Sequence, residues 1–254
     1  MSILLRETSG SVRLLRLNDS RRRNLLSGDL CRAISDAVAE ANADPDIKAI
    51  VITGAPPAFC AGADLNDLEA AAAGQTDTLQ AVYQSFMDVA QSALPTIAAV
   101  NGIAVGAGFN LALACDIRLA SVDAQFDCRF LKIGLHPGGG HGWMLLRAVG
   151  WAEATRMLLL NRAVSAEEAR AIGLVQDITE EADLVERAMA LAGRSDALPR
   201  DLILRTKQTL RLAAASDHGA AFTHESVEQL HSLGEPPFKD LVKRLKGDMA
   251  SRKL

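Results

Sequence analysis

The chain has 254 residues, of which 49% are hydrophobic and 23% are charged, and its formal net charge is −4 at pH 7. This length can bury a full hydrophobic core, and the composition is ordinary for a globular protein. The mildly acidic balance gives no support to a nucleic-acid partner, and no apolar run reaches the ~18 residues of a membrane span. We therefore expect a cytoplasmic protein with neither a nucleic-acid nor a membrane partner.

The N-terminal part predicts a hairpin followed by the first helix and a buried strand. Residues 3–7 and 11–17 resemble two short strands joined by a turn at Ser9-Gly10, and a polar, basic loop follows at residues 18–24. Apolar residues with a 3.6-residue period predict an amphipathic helix over 30–41, and residues 47–53 form an apolar run typical of a buried strand. The chain thus begins with the elements of an α/β protein.

The middle of the chain continues the alternation of strands and helices. A helix is predicted over 79–94, a buried strand over 96–100, an Ala- and Leu-rich helix through residue 114, and a short strand over 117–120. Such alternation favours parallel βαβ units. The stretch at residues 69–76 is rich in alanine and predicts only weak structure.

The C-terminal part is predicted to be mostly helical. Helices are expected over 143–149 and 151–160, and Ser165 with Glu168 three residues later has the pattern of a capping box. A short strand is expected over 174–178. We divide the chain into a core of residues 1–195 and a helical region of residues 196–254 that packs on the core or on a neighbouring subunit.

The stretch 95–116 carries the strongest functional signal from the residues alone. Small residues at positions 106–108 stand between a strand and a helix, where the backbone can approach a ligand and the first helical N–H groups have no intrahelical acceptor. Such a place can stabilise developing negative charge. Asn110 lies just inside this helix, so we expect it to influence the chemistry.

Several common sites are excluded by the sequence. The glycines at 106 and 108 lack the third glycine of a dinucleotide-binding turn, and neither a P-loop nor a GxSxG nucleophile motif occurs. His224 and His231 lack a carboxylate–histidine metal signature. The four cysteines show no metal-binding spacing and predict buried free thiols in a reducing compartment: Cys31, Cys60, Cys115 and Cys128. We therefore expect no metal.

Four motifs in order resemble those of one family. The segments AFCAGADL (58–65) and AVNGIAVGAGFNLALACDIRLAS (99–121) resemble the paired signatures of the crotonase, or enoyl-CoA hydratase/isomerase, superfamily. FLKIGLHPGGG (130–140) is similar to the segment that follows them there, and LNDSRRRN (17–24) fits the family's CoA-binding loop. The resemblance covers nearly the whole chain.

This resemblance implies an α/β fold: a crotonase-like spiral of ββα repeats with a C-terminal helical region that forms a homotrimer, often a dimer of trimers. It implies an acyl-CoA substrate from fatty-acid or related acyl-CoA metabolism, with no separate cofactor because CoA enters with the substrate. It also implies an oxyanion hole formed by the backbone N–H groups of Ala63 and Ala107. The acyl-CoA-binding positions that it implies are Arg21, Arg23, Ala61, Ala63, Asp64, Leu65, Gly106, Ala107, Phe130, Ile133 and Phe238.

Two parts of the CoA site have alternative interpretations. Arg21 and Arg23 fall where the family binds CoA phosphates, although a solvated loop is the other interpretation of the arginine run. Phe238 begins a basic segment that resembles the family segment closing over a neighbour's adenine. An amphipathic surface helix explains that spacing equally well.

The chain departs from the family at the catalytic acids. Hydratases of the family use two glutamates to activate water, and these positions are Asn110 and Phe130 here. Neither side chain exchanges a proton near neutral pH; Asn110 can orient a water or a carbonyl through its amide, whereas Phe130 offers an apolar wall. Each acid–base group is typically worth ~10²–10⁴-fold, so we expect very weak hydration.

Other side chains near the site by chain position could supply acid–base chemistry. His136 and His141 are the preferred candidates, and His141 at a helix start is expected to be neutral. The further candidates are Asp67, Glu69 and Asp127. The open functional alternatives are an enolate-stabilising enzyme (hydratase, isomerase, hydrolase or decarboxylase), a non-catalytic acyl-CoA binder and a purely structural protein.

Overall fold

The computed structural model describes residues 2–251, with side chains described as far as residue 246, and this part of the chain divides into two compact units between Arg194 and Ser195. The strands are β1 Leu4–Ser9, β2 Val12–Leu17, β3 Ala49–Gly54, β4 Ala58–Cys60, β5 Thr96–Val100, β6 Ile103–Val105, β7 Ile117–Ser121, β8 Gln125–Asp127, β9 Val164–Ser165 and β10 Asp177–Thr179. The helices are α1 Gly28–Ala43, α2 Leu65–Ala72, α3 Asp77–Ala90, α4 Ala107–Ala114, α5 His141–Leu158, α6 Ala166–Ala171, α7 Glu181–Gly193, α8 Arg200–Ala215, α9 His218–Gly234 and α10 Pro236–Ser251.

The first unit is built on a six-stranded sheet in the order β1-β2-β3-β5-β7-β10. β1 and β2 form the predicted antiparallel hairpin, and from β2 onward neighbouring strands run parallel. The central strands β3 and β5 are buried along their whole length, as their continuous apolar runs predicted. On one face, Leu184 and Ala188 of α7 pack against apolar side chains of β2, β3, β5 and β7.

A second, four-stranded sheet in the order β4-β6-β8-β9 positions the candidate site. β4, β6 and β8 run parallel to one another, so their carboxyl ends lie at the same edge. The sequence analysis missed β6 and β8, since three residues are too few to establish a periodicity. Because of these short strands, the segments after Cys60, Val105 and Asp127 leave the sheet side by side.

Several local predictions are confirmed and a few are corrected. Ser165 and Glu168 form the capping box, and all four cysteines are free and buried. Residues 65–72, predicted to be only weakly structured in part, form helix α2. α5 contains the two helices predicted on either side of Gly150, which meet at a kink there because Gly150 has a non-helical φ of 76° and ψ of 176°. The strand predicted at 174–178 begins later, at Asp177.

The second unit consists of α8, α9 and α10. Several large apolar side chains of α9 are exposed, among them Phe222, Val227 and Leu230. In the described part of the chain, no helix is both long and apolar enough to cross a membrane.

Candidate active site

The segments that leave β4 and β6 approach each other closely because both contain glycines. A Cβ on Gly62, whose φ is +102°, would lie 2.7 Å from the carbonyl oxygen of Val105 and 3.7 Å from the nitrogen of Ala107. A Cβ on Gly108 would lie 2.2 Å from the carbonyl oxygen of Cys60. Any side chain at either position would push the two segments apart. The glycines therefore bring Ala63 and Ala107 to one place.

The backbone N–H groups of Ala63 and Ala107 are both available to a ligand. Ala107 is the first residue of α4, where an N–H has no intrahelical acceptor, and Gly106 before it has a φ of 50°. Around Ala63, the N–H of Leu26 donates to the carbonyl oxygen of Gly62 at 2.9 Å. Over residues 2–251, neither alanine N–H donates to a protein acceptor. Two backbone donors without a protein acceptor thus lie close together in this part of the structure.

Ala63 and Ala107 line a cavity of about 850 Å³, which we call the central cavity. Its walls are mostly apolar, with side chains from α2 and α3 opposite α4 and the segment after β8. The predicted residues that line it are Ala61, Ala63, Asp64, Leu65, Gly106, Ala107, Asn110, Phe130, Ile133 and His136. A volume of this size accommodates a small organic ligand.

Four predicted residues lie elsewhere. The side chains of Arg21 and Arg23 are exposed on the loop after β2. The backbone carbonyl of Arg23 accepts a hydrogen bond of 3.0 Å from the N–H of Ala61, which ties this loop to the segment after β4. Phe238 lies on α10 and is 42% exposed. His141 is the fourth, and it lies behind Asn110.

The amide of Asn110 has a defined orientation. Its Nδ2 donates to the carbonyl oxygen of Gly138 at 2.9 Å. Because a carbonyl only accepts, the nitrogen end of the amide must face Gly138, and Oδ1 then faces Nδ1 of His141. Oδ1 cannot donate, so Nδ1 of His141 carries the proton. Asn110 thus turns its acceptor end toward His141 and its donor end toward the Gly138 wall of the cavity.

His141 is a buried, neutral histidine whose ring nitrogens are both engaged. It is 1% exposed, and burial lowers its pKa from 6.5 to about 4. Its Nε2 lies 3.2 Å from Sγ of Cys128, and burial raises the pKa of that thiol to about 12. Burial is the cause of this lowered pKa, and it favours the neutral ring that the sequence predicted. Since Nδ1–H donates to Asn110, Nε2 accepts from the Cys128 thiol.

Phe130 closes the wall next to this network. Its side chain is buried and lines the central cavity. The ring packs edge-on against His141, with 4.9 Å between ring centroids. Position 130 therefore presents an apolar surface to the cavity.

The remaining acid–base candidates have mixed surroundings. His136 is exposed and lines the cavity, and its Nδ1 lies 2.8 Å from the carbonyl oxygen of Pro137. The carboxylate oxygen Oδ2 of Asp127 forms ion pairs with the guanidinium of Arg129 at 2.8 Å and with Nζ of Lys132 at 3.5 Å. Asp67 and Glu69 lie on α2 and are not among the residues lining the cavity.

Asp64 is the one carboxylate that lines the cavity in the described chain, and it caps helix α2. Its Oδ1 accepts from the backbone N–H of Asn66 at 2.9 Å at the start of α2. Its Oδ2 lies 3.8 Å from the guanidinium of Arg22. Both carboxylate oxygens thus already have partners.

Sequence reasoning missed three groups of the cavity wall. Tyr83 and Phe86 come from α3, whose pattern indicated an ordinary amphipathic helix. Cys128 was identified only as a buried thiol, although it lines the cavity and contacts His141. No local pattern marks these residues, because their roles depend on contacts between segments far apart in the chain.

The structure shows an α/β fold with a mostly apolar cavity lined by Ala63 and Ala107. The family model for enoyl-CoA hydratase/isomerase matches residues 7–236. A probable enoyl-CoA hydratase of Mycobacterium tuberculosis is 44% identical over 220 residues, which cover 86% of this chain and 85% of that protein. The chain belongs to the enoyl-CoA hydratase/isomerase family of the crotonase superfamily, as its motifs predicted.

Other relatives agree with this assignment. The 1,2-epoxyphenylacetyl-CoA isomerase of Escherichia coli is 34% identical over 197 residues, covering 76% of this chain and 75% of that protein. The crystal structure of an enoyl-CoA hydratase from Bacillus anthracis superimposes with a TM-score of 0.88 at 26% identity, covering 99% of this chain and 96% of that one. The fold is therefore the crotonase-type α/β fold.

Proposed function

We propose that this protein binds an acyl-CoA thioester in the central cavity and stabilises an enolate-like form of it. The thioester carbonyl oxygen accepts hydrogen bonds from the N–H groups of Ala63 and Ala107. The observation that carries this proposal is that two neighbouring alanines, whose backbone N–H groups have no protein acceptor among the described residues, line the same apolar cavity. Removal of one such donor typically costs an enzyme about 3–4 kcal/mol of transition-state stabilisation.

The two donors act on the acidity of the carbon next to the carbonyl. When that carbon loses a proton, negative charge moves to the carbonyl oxygen, where the fixed N–H groups receive it without reorganisation. The apolar walls exclude water and strengthen these hydrogen bonds. Ala63 and Ala107 therefore stabilise the negative charge that develops on the carbonyl oxygen, but they do not transfer the proton.

The two positions where the family's hydratases carry glutamates offer no acid–base group in this protein. Asn110 is an amide and Phe130 is apolar, so neither activates water for addition to a double bond. His136 is the imidazole that lines the cavity in the described chain, which makes it the preferred acid–base group for an isomerase or hydrolase reaction. We therefore propose an enzyme other than an efficient hydratase.

A non-catalytic acyl-CoA-binding protein is the second candidate. This candidate is supported by three polar side chains that hydrogen-bond to one another as neutral groups: Asn110, His141 and Cys128. Such a protein retains the carbonyl site and performs no proton transfer.

The CoA portion has a plausible path at the loop after β2. Arg21 and Arg23 are exposed there, and in the part of the chain that the structure describes they form no ion pair. Free guanidinium groups are good ligands for phosphates. We propose that they bind the CoA phosphates and that Phe238 contacts the adenine.

Two measurements with purified protein test this function. Calorimetry with CoA and butyryl-CoA should show binding of both, with the acyl group adding affinity. Incubation with crotonyl-CoA, followed by loss of enoyl-thioester absorbance, should show turnover lower by at least ~10²-fold than that of a hydratase with both glutamates. Turnover equal to such a hydratase would contradict the assigned roles of Asn110 and Phe130, and failure to bind would contradict the acyl-CoA site.

A double substitution distinguishes the enzyme from the binder. Replacing Asn110 and Phe130 together by glutamate restores the family pair, so hydration of crotonyl-CoA should rise if the carbonyl site is competent. Replacing Phe130 alone is the matched control. No rise in the double variant would contradict a competent hydratase scaffold.

A further inference from the structure

Cys128, His141 and Asn110 form a chain of side-chain hydrogen bonds that the proposed function does not use. The contacts run from Sγ of Cys128 to Nε2 of His141, and from Nδ1 of His141 to Oδ1 of Asn110. Nδ2 of Asn110 ends the chain at the carbonyl oxygen of Gly138. Asn110 and His141 are each 1% exposed, and Cys128 is 2% exposed. Such a buried chain rigidifies the groups that it joins.

The carbonyl oxygen of Gly138 determines which atom donates in each hydrogen bond between Asn110, His141 and Cys128. The Gly138 carbonyl can only accept, which fixes the Asn110 amide and then the protonated nitrogen of His141. Asn110 Nδ2 carries two N–H groups, and Gly138 is its one hydrogen-bond partner among the described residues. The second N–H has no hydrogen-bond partner among the described residues, and Asn110 lines the central cavity, whereas its oxygen end is bonded to His141.

The order of residues resembles a Cys-His-Asn nucleophile triad, but the environment argues against that role. Burial raises the pKa of Cys128 to about 12 and lowers that of His141 to about 4. A thiol and an imidazole with these values remain neutral partners across the physiological range. These hydrogen-bonded side chains are therefore suited to fixing one another's orientation, and Cys128 is not suited to forming a thiolate.

We propose that this chain holds Asn110 as a hydrogen-bond donor for an oxygen on the third carbon of the acyl group, so that the protein prefers 3-oxoacyl-CoA thioesters. Asn110 lies three residues after Ala107, and residues so spaced lie about 5–6 Å apart on one face of a helix. A thioester carbonyl at Ala107 places its third carbon at about this distance along the helix. His141 acts as a positioning residue, since it orients Asn110 without touching the ligand. The proposal rests on the proposed carbonyl site.

The test compares acetoacetyl-CoA with butyryl-CoA, which have the same acyl chain length and differ in the 3-oxo oxygen. Calorimetry with the wild-type protein should show a preference of about three- to tenfold for acetoacetyl-CoA, the worth of one net hydrogen bond. The ratio of the two affinities is the diagnostic quantity, because a purely structural defect lowers both affinities together.

Three variants test whether the preference for acetoacetyl-CoA depends on the hydrogen bonds between Asn110 and His141. Asn110→Leu removes the donor at similar volume, and His141→Leu removes the group that orients it, so the ratio should fall to about one in both. In His141→Asn, Nδ2 takes the place of the imidazole Nδ1 and keeps the bond to Asn110, so the preference should return. If His141→Leu does not fold, Asn110→Leu and His141→Asn still test the proposal.

The outcomes separate this inference from the proposed function. If neither thioester binds the wild-type protein, the carbonyl site itself is contradicted. If both bind equally, or if Asn110→Leu keeps the wild-type ratio, only the donor role of Asn110 is contradicted. Intact-mass analysis after incubation with either thioester should find unmodified protein. An acyl adduct that disappears in Cys128→Ser would overturn the neutral chain in favour of a nucleophile.

Discussion

At the scale of single residues, the site separates two tasks that often act together in acyl-CoA chemistry. Ala63 and Ala107 contribute only backbone N–H groups, so their alanine side chains matter little. Asn110 and Phe130, which we propose to stand at the family's proton-transfer positions, contribute an oriented amide and an apolar ring. The residues therefore predict strong carbonyl polarisation and weak hydration.

His141 gives the stability a specific dependence on pH. Its pKa is about 4 in the folded protein and 6.5 in the unfolded chain, so the unfolded chain binds the proton first as the pH falls. The contribution of the neutral, buried ring is complete above pH 6.5 and is lost as the pH falls toward 4. The free energy of unfolding should fall by about 2–3 kcal/mol more in wild type than in His141→Asn between pH 7.5 and 4.5.

Urea unfolding of both proteins at the two pH values measures this difference. Titration of the shared carboxylates and other histidines cancels in the comparison. Parallel losses of stability in the two proteins would show that His141 titrates as an ordinary exposed histidine.

At the scale of elements, the site depends on how closely α4 approaches the segment after β4. Gly108 is the contact point, since its α-carbon faces the carbonyl of Cys60. The geometry of the donor pair therefore depends on Gly108, which is not among the residues that line the cavity. A substitution there should act on binding through the spacing of two backbone segments.

Gly108→Ala tests this dependence. The added methyl group would lie 2.2 Å from the Cys60 oxygen, so α4 must shift. We expect a loss of about 1–3 kcal/mol in the free energy of unfolding and up to about a tenfold loss of butyryl-CoA affinity. Gly142→Ala, on α5 with no atom within 4 Å of the added carbon, is the matched control. An unchanged affinity in Gly108→Ala would contradict the spacing argument.

The elements that the sequence predicted and those that it missed differ in length. The helix after Gly106 and the buried strands β3 and β5 have enough residues for composition and periodicity to identify them. β6 and β8 have three residues each, and their pairing depends on neighbours distant in the chain. The sequence motifs singled out Ala63, Ala107 and Asn110, and all three line the cavity in the structure. They could not foresee the contact of Asn110 with His141, because 31 residues and several turns separate the two.

At the scale of the whole molecule, family resemblance predicts a trimer or a dimer of trimers. The exposed side chains of α9, including Phe222 at 64% and Leu230 at 70%, are consistent with a surface that another subunit covers. Light scattering after gel filtration should give a mass three or six times the 27.0 kDa of one chain. A mass of one chain at micromolar concentration would contradict the trimer.

The central claim is that Ala63 and Ala107 polarise the thioester carbonyl. Isotope-edited infrared spectroscopy of bound crotonyl-CoA, labelled at the carbonyl carbon, reports this directly. Ala107→Pro removes one donor at the first helical position, where proline is tolerated, and Ala107→Gly retains the N–H as a control. The account predicts a carbonyl band at lower frequency than in water for wild type and Ala107→Gly, with a smaller displacement for Ala107→Pro. A wild-type band at the same frequency as in water would contradict it.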